Sequence, residues 1–112
     1  MFGSLGDIKK ALQMAGQMQG KMAELKKQAA TVRVVGDAGA GLVTVEANGA
    51  MEILSVKIDP SLFSGTPDAE LIQDLVAGAT NQALGKAKDA FKDLLQKEMG
   101  GMLPPGMEIP GF

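Results

Sequence analysis

The chain of 112 residues contains no cysteine, histidine, tryptophan or tyrosine. Without cysteine it can form neither disulfides nor thiolate metal sites, and without histidine it lacks imidazole bases and the nucleophile triads built on them. Carboxylates such as Glu46, Glu52 and Asp59 are scattered along the chain, a pattern more typical of surface solvation than of paired acid and base groups. The sequence therefore predicts no catalytic residues, no metal, no cofactor and no enzymatic activity.

Long apolar runs are also missing. There is no charged leader followed by an apolar stretch, and no apolar segment near 18 residues, so we expect neither a signal peptide nor a membrane span. The predicted location is cytoplasmic, with no membrane partner. A single domain this small leaves much of its surface exposed to solvent, and oligomerisation would bury part of that surface.

The formal net charge is only −2, but the charges are unevenly distributed. Residues 1–33 contain two acidic side chains and six basic ones, a net charge of +4, whereas residues 34–112 have a net charge of −6. This separation predicts a positive arm on a negative body. The six basic residues are Lys9, Lys10, Lys21, Lys26, Lys27 and Arg33.

The segment 5–32 has the apolar spacing of one long amphipathic helix. Such a helix is about 40 Å long, whereas a compact chain of this length has a radius of gyration of about 13 Å. We therefore expect it to project, beside a second long helix and a second subunit, with Ser4 as the candidate N-cap. Gly16 and Gly20 are either tolerated weaknesses or points where another backbone approaches closely. The apolar positions are Ile8, Ala11, Ala15, Met18, Met22, Leu25, Ala29 and Val32.

A strand pattern follows the helix. The β-branched residues of 31–35 predict the first strand, and the glycine-rich segment 36–41 predicts a hairpin loop. A phosphate-binding loop is the alternative, but such a loop normally precedes a helix, and here another strand pattern follows. In the second strand, 42–47, the residues Val43, Val45 and Ala47 share one face.

Asn48-Gly49 predicts a type I′ turn, with positive φ at both positions. The third strand, 51–58, is expected to direct Leu54, Val56 and Ile58 inward. This three-stranded antiparallel meander needs a helix or another sheet to cover its apolar face.

The rest of the chain predicts a second long helix and a tail. Leu62 and Phe63 are expected to pack inward, Thr66 to cap the helix and Pro67 to occupy its first position. Apolar residues then keep a helical period to about Met99. We predict one α+β domain over 1–99, built as helix, meander and helix, and a flexible glycine- and proline-rich tail over 100–112.

Several short motifs, taken in order, resemble a known family. They are Gly41-Leu42-Val43-Thr44-Val45, Asn48-Gly49, Val56-Lys57-Ile58-Asp59-Pro60-Ser61-Leu62 and Leu103-Pro104-Pro105-Gly106-Met107. Together with the methionine- and glutamine-rich first helix, they resemble the YbaB/EbfC family of bacterial nucleoid-associated proteins. The resemblance implies a homodimer with projecting helices, binding to DNA with little sequence preference, and a role in organising the bacterial chromosome.

Binding to DNA phosphates requires lysine and arginine, and the six basic residues of 1–33 are the candidates. The scarcity of aromatic residues argues against stacking on unpaired bases, so double-stranded DNA is the expected partner, with no small-molecule substrate. For each lysine alone, solvation of a helix face is an equally good explanation. The alternative function is a protein-interaction module in which the long helices, with the methionine row Met14, Met18 and Met22 of the first, clasp a partner protein.

Overall fold

The computed structural model describes residues 5–99 of the chain. Two long helices, α1 (Leu5–Thr31) and α2 (Ala69–Met99), flank three strands and a short 3-10 helix, η1 (Pro60–Phe63). The strands are β1 (Arg33–Ala38), β2 (Val43–Asn48) and β3 (Ile53–Ile58). This is the predicted α+β order of helix, meander and helix.

The predicted projection of α1 is confirmed. The described part of the molecule measures 75 × 23 × 20 Å, with a radius of gyration of 20.4 Å, against about 13 Å for a compact chain of this length. Only the C-terminal end of α1 enters the core, where Leu25 and Ala29 are buried. The N-terminal half extends away from the sheet, and its large apolar residues Leu5, Ile8, Leu12 and Met14 are each more than half exposed.

The start of α2 differs from the prediction. Asp68, and not Thr66, caps the helix: its Oδ1 accepts the amide N–H of Leu71 at 3.1 Å, and its carbonyl accepts the amide N–H of Ile72. Pro67 therefore lies before the helix and not at its first position. A carboxylate in this place satisfies a free amide and interacts favourably with the helix dipole. The predicted end near Met99 is confirmed.

The sheet is antiparallel, in the order β1-β2-β3. The first strand runs three residues further than predicted, and only Gly39 to Gly41 adopt the positive φ angles of the hairpin loop. Gly36 is part of β1, and α2 passes directly over it: a Cβ at Gly36 would collide with the carbonyl oxygen of Ala79 and the amide nitrogen of Ala83. Its lack of a side chain allows this close packing.

The turn between β2 and β3 is not type I′. The residue with positive φ is Met51, at 66°. Three residues, 49–51, lie between Asn48 and Glu52, and the amide N–H of Asn48 donates to the carbonyl of Glu52. Asn48 is buried, and its Oδ1 accepts from the amides of Ala50 and Glu52. These hydrogen bonds hold Asn48 in the strand conformation. The left-handed backbone conformation is therefore adopted later in the loop, at Met51.

The core consists of two clusters joined by α2. In the first, Val43, Val45 and Ala47 pack beneath Ala79 and Ala83, which confirms the predicted face of β2. In the second, Leu25 and Ala29 of α1 pack against α2, where the contacting residues are Phe91 and Leu95. One helix therefore covers the sheet and supports the base of α1.

The inward prediction for β3 is partly wrong. Ile58 packs against the sheet cluster, but Leu54 and Val56 are 43% and 45% exposed. Val56 pairs with Val45, which is fully buried, so the difference arises because α2 covers β1 and β2 and leaves β3 open. Leu54 lies at a shift of the β2–β3 register. Leu62 packs inward as predicted, whereas Phe63 is 54% exposed.

Two predictions fall on residues outside 5–99. The Ser4 cap belongs to residues 1–4 and the flexible tail to residues 100–112, and neither segment is among those the structure describes.

Candidate nucleic-acid interface

The N-terminal half of α1 is the most exposed part of the described chain. Every residue from 5 to 17 is exposed, and we call this segment the arm. It contains Lys9 and Lys10 against one acidic residue, Asp7. Exposed lysine side chains on such a projecting helix can reach a large anionic surface.

The candidate lysines do not form one strip along α1. Lys9 and Lys27 are 18 residues apart, which is five turns, so they point the same way at a separation of about 27 Å. Lys10 and Lys21 share a second direction, and Lys26 points in a third. The lysines thus lie on several sides of the helix, around its apolar face.

Two of the six candidates have partners within the protein. The Nη1–H of Arg33 donates to the carbonyl of Ala30 at 2.7 Å, and its Nε lies 3.6 Å from Oε1 of Glu46. Lys21 donates from Nζ to the carbonyl of Glu98 at 3.5 Å. Arg33 thus satisfies a free carbonyl at the C-terminal end of α1, a structural role that charge counting could not identify.

The other four candidates are unpaired among residues 5–99. Lys9, Lys10, Lys26 and Lys27 are exposed, and the one salt bridge in this range is that of Arg33 with Glu46. Lys26 borders an open apolar groove on α1 that is also lined by Ala15, Met18 and Met22. Of the six candidate residues, these four have exposed ammonium groups with no partner within the described range.

The second helix contributes lysines that the prediction did not select. Lys92 and Lys97 are exposed on α2, interspersed with Asp89, Asp93 and Glu98. Lys86 donates from Nζ to the carbonyl of Val35 at 2.8 Å, which ties α2 to β1. No local sequence pattern predicts this hydrogen bond, since the two residues are 51 positions apart.

The edge of the sheet formed by β3, opposite the edge formed by β1, is also exposed. The strand β3 is an edge strand, and Ile53, Leu54 and Val56 are each at least 40% exposed. An exposed apolar edge with unpaired backbone groups is a site for pairing with another chain. It is separate from the arm and from its lysines.

No group of three or more acidic, histidine or cysteine side chains within residues 5–99 is placed to hold a metal ion. The carboxyl of Asp59 has its pKa lowered because it accepts hydrogen bonds from Ser61, a contact that caps η1. No helix in this range is both long and apolar enough to cross a bilayer.

Comparison with known proteins gives concordant results. The model of the YbaB/EbfC DNA-binding family matches residues 5–102. A nucleoid-associated protein of Desulfotalea psychrophila is 44% identical over 104 residues, which cover 93% of this chain and 92% of that protein. The crystal structure of an uncharacterized protein from Helicobacter pylori superposes with a TM-score of 0.60 at 25% identity, covering 72% of this chain and 93% of the other.

Proposed function

Because this chain belongs to the YbaB/EbfC DNA-binding family, we propose that it is a nucleoid-associated protein that binds double-stranded DNA as a homodimer. Binding uses the basic side chains of α1 and has little sequence preference. The protein acts in the bacterial cytoplasm, on the nucleoid, and has no enzymatic activity.

The observation that supports this proposal best is the exposure of unpaired lysines on a projecting helix. Lys9 and Lys10 lie on the arm, and Lys26 and Lys27 lie at its base. Each lysine that neutralises a phosphate releases counterions, and this contribution does not depend on sequence. Arg33 contributes less, because its guanidinium already has Ala30 and Glu46 as partners.

The open edge of the sheet supports the homodimer. Pairing of β3 with a second copy covers Ile53, Leu54 and Val56 with apolar surface of the same kind. The two arms then extend from one central body, and each contributes its own lysines. Since each subunit has a net charge of −2, the dimer repels DNA at long range, and we expect weak binding with a steep dependence on salt.

The deciding experiment measures binding of the full chain to duplexes of unrelated sequence across a salt series, with the mass of the free protein determined in parallel. We expect similar affinity for all the duplexes and a logarithmic salt slope of about −0.9 for each phosphate contacted. A dimeric mass is expected for the free protein. Affinity that changes little between low and physiological salt contradicts the mechanism.

Co-purification with and without nuclease treatment, read together with the duplex affinities, separates this function from the protein-interaction alternative. After nuclease treatment, a DNA-binding protein no longer co-purifies with other chromosome-bound proteins. A single stoichiometric protein partner that persists after nuclease treatment, combined with no measurable affinity for duplex DNA, favours the alternative.

A further inference from the structure

The sequence contains a single Asn-Gly pair, Asn48-Gly49, and the fold buries it where the β2–β3 loop meets α1. Asn48 is 3% exposed, and Gly49 is buried as well. The amide N–H of Gly49 donates to the carbonyl of Ala29 in α1 at 2.9 Å. An Asn-Gly pair is chemically reactive, because glycine has no side chain to hinder attack of its backbone nitrogen on the preceding asparagine. A reactive pair is therefore held against the base of α1.

We propose that Asn48 is a site of spontaneous deamidation, suppressed as long as α1 contacts the loop, and that deamidation in turn weakens this contact. In the reaction the backbone nitrogen of Gly49 bonds to Cγ of Asn48. The side-chain nitrogen leaves as ammonia, taking up the proton of the glycine amide. Water then opens the resulting succinimide ring at either carbonyl, which gives aspartate or isoaspartate at position 48. The reaction needs water and no other reactant, and the proposal does not depend on DNA binding.

Each group that must react is engaged in a hydrogen bond in the folded chain. The N–H of Gly49, which must lose its proton, donates to Ala29. Oδ1 of Asn48 accepts from the amides of Ala50 and Glu52 at 3.0 and 3.1 Å, and Nδ2 donates to Oε1 of Glu52 at 2.8 Å. Moving the side chain onto the glycine nitrogen breaks these bonds in a buried site, where the lost partners are not replaced by water. The ring therefore forms only after the loop opens.

Release of α1 from the loop is the opening that exposes the pair. Leu25 and Ala29 of α1 pack against α2 in one cluster, and Ala50 of the loop packs against the same cluster. Since residues 5–17 are exposed, α1 is attached to the subunit chiefly through this cluster. Openings of one region occur without unfolding of the whole protein. When α1 separates here, the N–H of Gly49 loses its acceptor while the sheet cluster stays packed.

The products of deamidation weaken the same contact. Aspartate at position 48 has no N–H to donate, so a carboxylate oxygen takes the place of Nδ2, which lies 2.8 Å from Oε1 of Glu52. Two like charges at this distance repel each other. Isoaspartate adds a methylene to the main chain before Gly49, which displaces its N–H from the carbonyl of Ala29. Either product favours the open form, so the reaction makes a transient release of α1 permanent.

The first test follows deamidation of the full chain at mildly alkaline pH by mass spectrometry of its peptides. The other asparagine, Asn81, is exposed on α2 and precedes glutamine, so it serves as an internal reference. We expect Asn48 to react at least about tenfold more slowly in the folded protein than in the chain unfolded by urea, because protection follows the equilibrium for local opening. Equal rates in the two states overturn the proposal.

Two leucine truncations identify which opening exposes the site. Leu25→Ala removes a buried side chain from the α1 cluster, and Leu75→Ala removes one that packs against the sheet cluster. The variants are compared at urea concentrations that give them the same overall stability, so a difference in rate reports local opening. We expect deamidation at Asn48 to be at least about threefold faster in Leu25→Ala. Equal rates overturn the proposal, and Leu25→Val gives the same comparison if Leu25→Ala does not fold.

A third comparison tests the effect of the product. Asn48→Asp should make hydrogen exchange at the amide of Gly49 several-fold faster, while exchange at Val45, in the central strand, changes little. Combining Asn48→Asp with Glu52→Gln removes the like charge and supplies an amide N–H to the new carboxylate, so exchange at Gly49 should slow again. If Asn48→Asp leaves exchange at Gly49 unchanged, deamidation does not weaken the contact and the proposal is wrong.

Discussion

The amide N–H of Gly49, in the β2–β3 loop, donates a 2.9 Å hydrogen bond to the carbonyl oxygen of Ala29, near the end of α1. The same carbonyl accepts from Val32 at 3.1 Å. This contact fixes the loop against the base of the helix that supports the arm. A Cβ added at Gly49 would lie 2.9 Å from the oxygen of Ala29, closer than packing allows.

We therefore predict that Gly49→Ala lowers the free energy of unfolding by about 1–3 kcal/mol, as expected for overpacking. Denaturant titration measures the loss, and hydrogen exchange should show faster exchange at Val32. Gly20→Ala is the control, since no atom lies within 4 Å of its added Cβ and alanine is the better helix former. If both variants are as stable as the original protein, the contact with Ala29 has no energetic importance.

The close packing of β1 against α2 gives a second prediction. Gly36→Ala should cost at least about 2 kcal/mol, because the new Cβ collides with backbone atoms that cannot rotate away. Gly78→Ala, on the helix that makes this contact, places its Cβ 3.7 Å from Ala38, an ordinary distance. We expect it to raise stability by about 0.5–1 kcal/mol. Thermal unfolding of the two variants should therefore shift in opposite directions.

The cap of α2 gives a third prediction. Asp68→Ala removes the acceptor for the amide of Leu71 and should cost about 1 kcal/mol. Thr66→Ala should change stability by less than about 0.5 kcal/mol, as is usual for an exposed residue. Urea titrations of both variants measure the difference. The reverse ranking would show that Thr66 caps the helix in solution.

Charge reversal tests the DNA contacts. Lys26→Glu combined with Lys27→Glu should weaken binding at every duplex sequence and reduce the salt slope by about one unit per lost phosphate contact. The matched control is Lys92→Glu with Lys97→Glu, which changes the charge equally on exposed positions of α2. Equal losses in both double variants would indicate a general effect of net charge, and no loss at Lys26 and Lys27 would exclude them from the interface.

The cap of η1 predicts a dependence on pH. The backbone N–H of Ser61 lowers the pKa of Asp59 below its ordinary value of 3.8. A lowered pKa in the folded state means that the carboxylate stabilises the fold above the ordinary value, and this contribution is lost as the pH falls through the folded pKa. We expect the stability difference between the original protein and Asp59→Asn to shrink from about pH 5 towards pH 3. A constant difference over this range contradicts the assignment.

The long helices could be predicted because their signals are long and local. The apolar period of α1 and α2 repeats over many turns, so a single unusual residue such as Gly16 does not obscure it. The N-terminal cap of α2 could not be assigned in the same way, because Thr66, Pro67 and Asp68 all suit a helix start. The choice of Asp68 depends on which side chain meets the amide of Leu71, and spacing does not determine this.

The turn and the third strand required tertiary information. Asn48-Gly49 favours a type I′ turn locally, but burial of Asn48 and its bonds to Ala50 and Glu52 produce another loop. The alternation in β3 identifies its faces, yet exposure of Val56 depends on where α2 lies. Among the candidate contacts, charge counting located the basic helix but could not show that Arg33 already has protein partners.

The helix α2 is one unbroken element that covers the sheet at Ala79 and Ala83 and then supports α1 at Phe91 and Leu95. Because one continuous helix contacts both clusters, the angle at which α2 crosses the sheet also sets the direction in which the arm leaves the body.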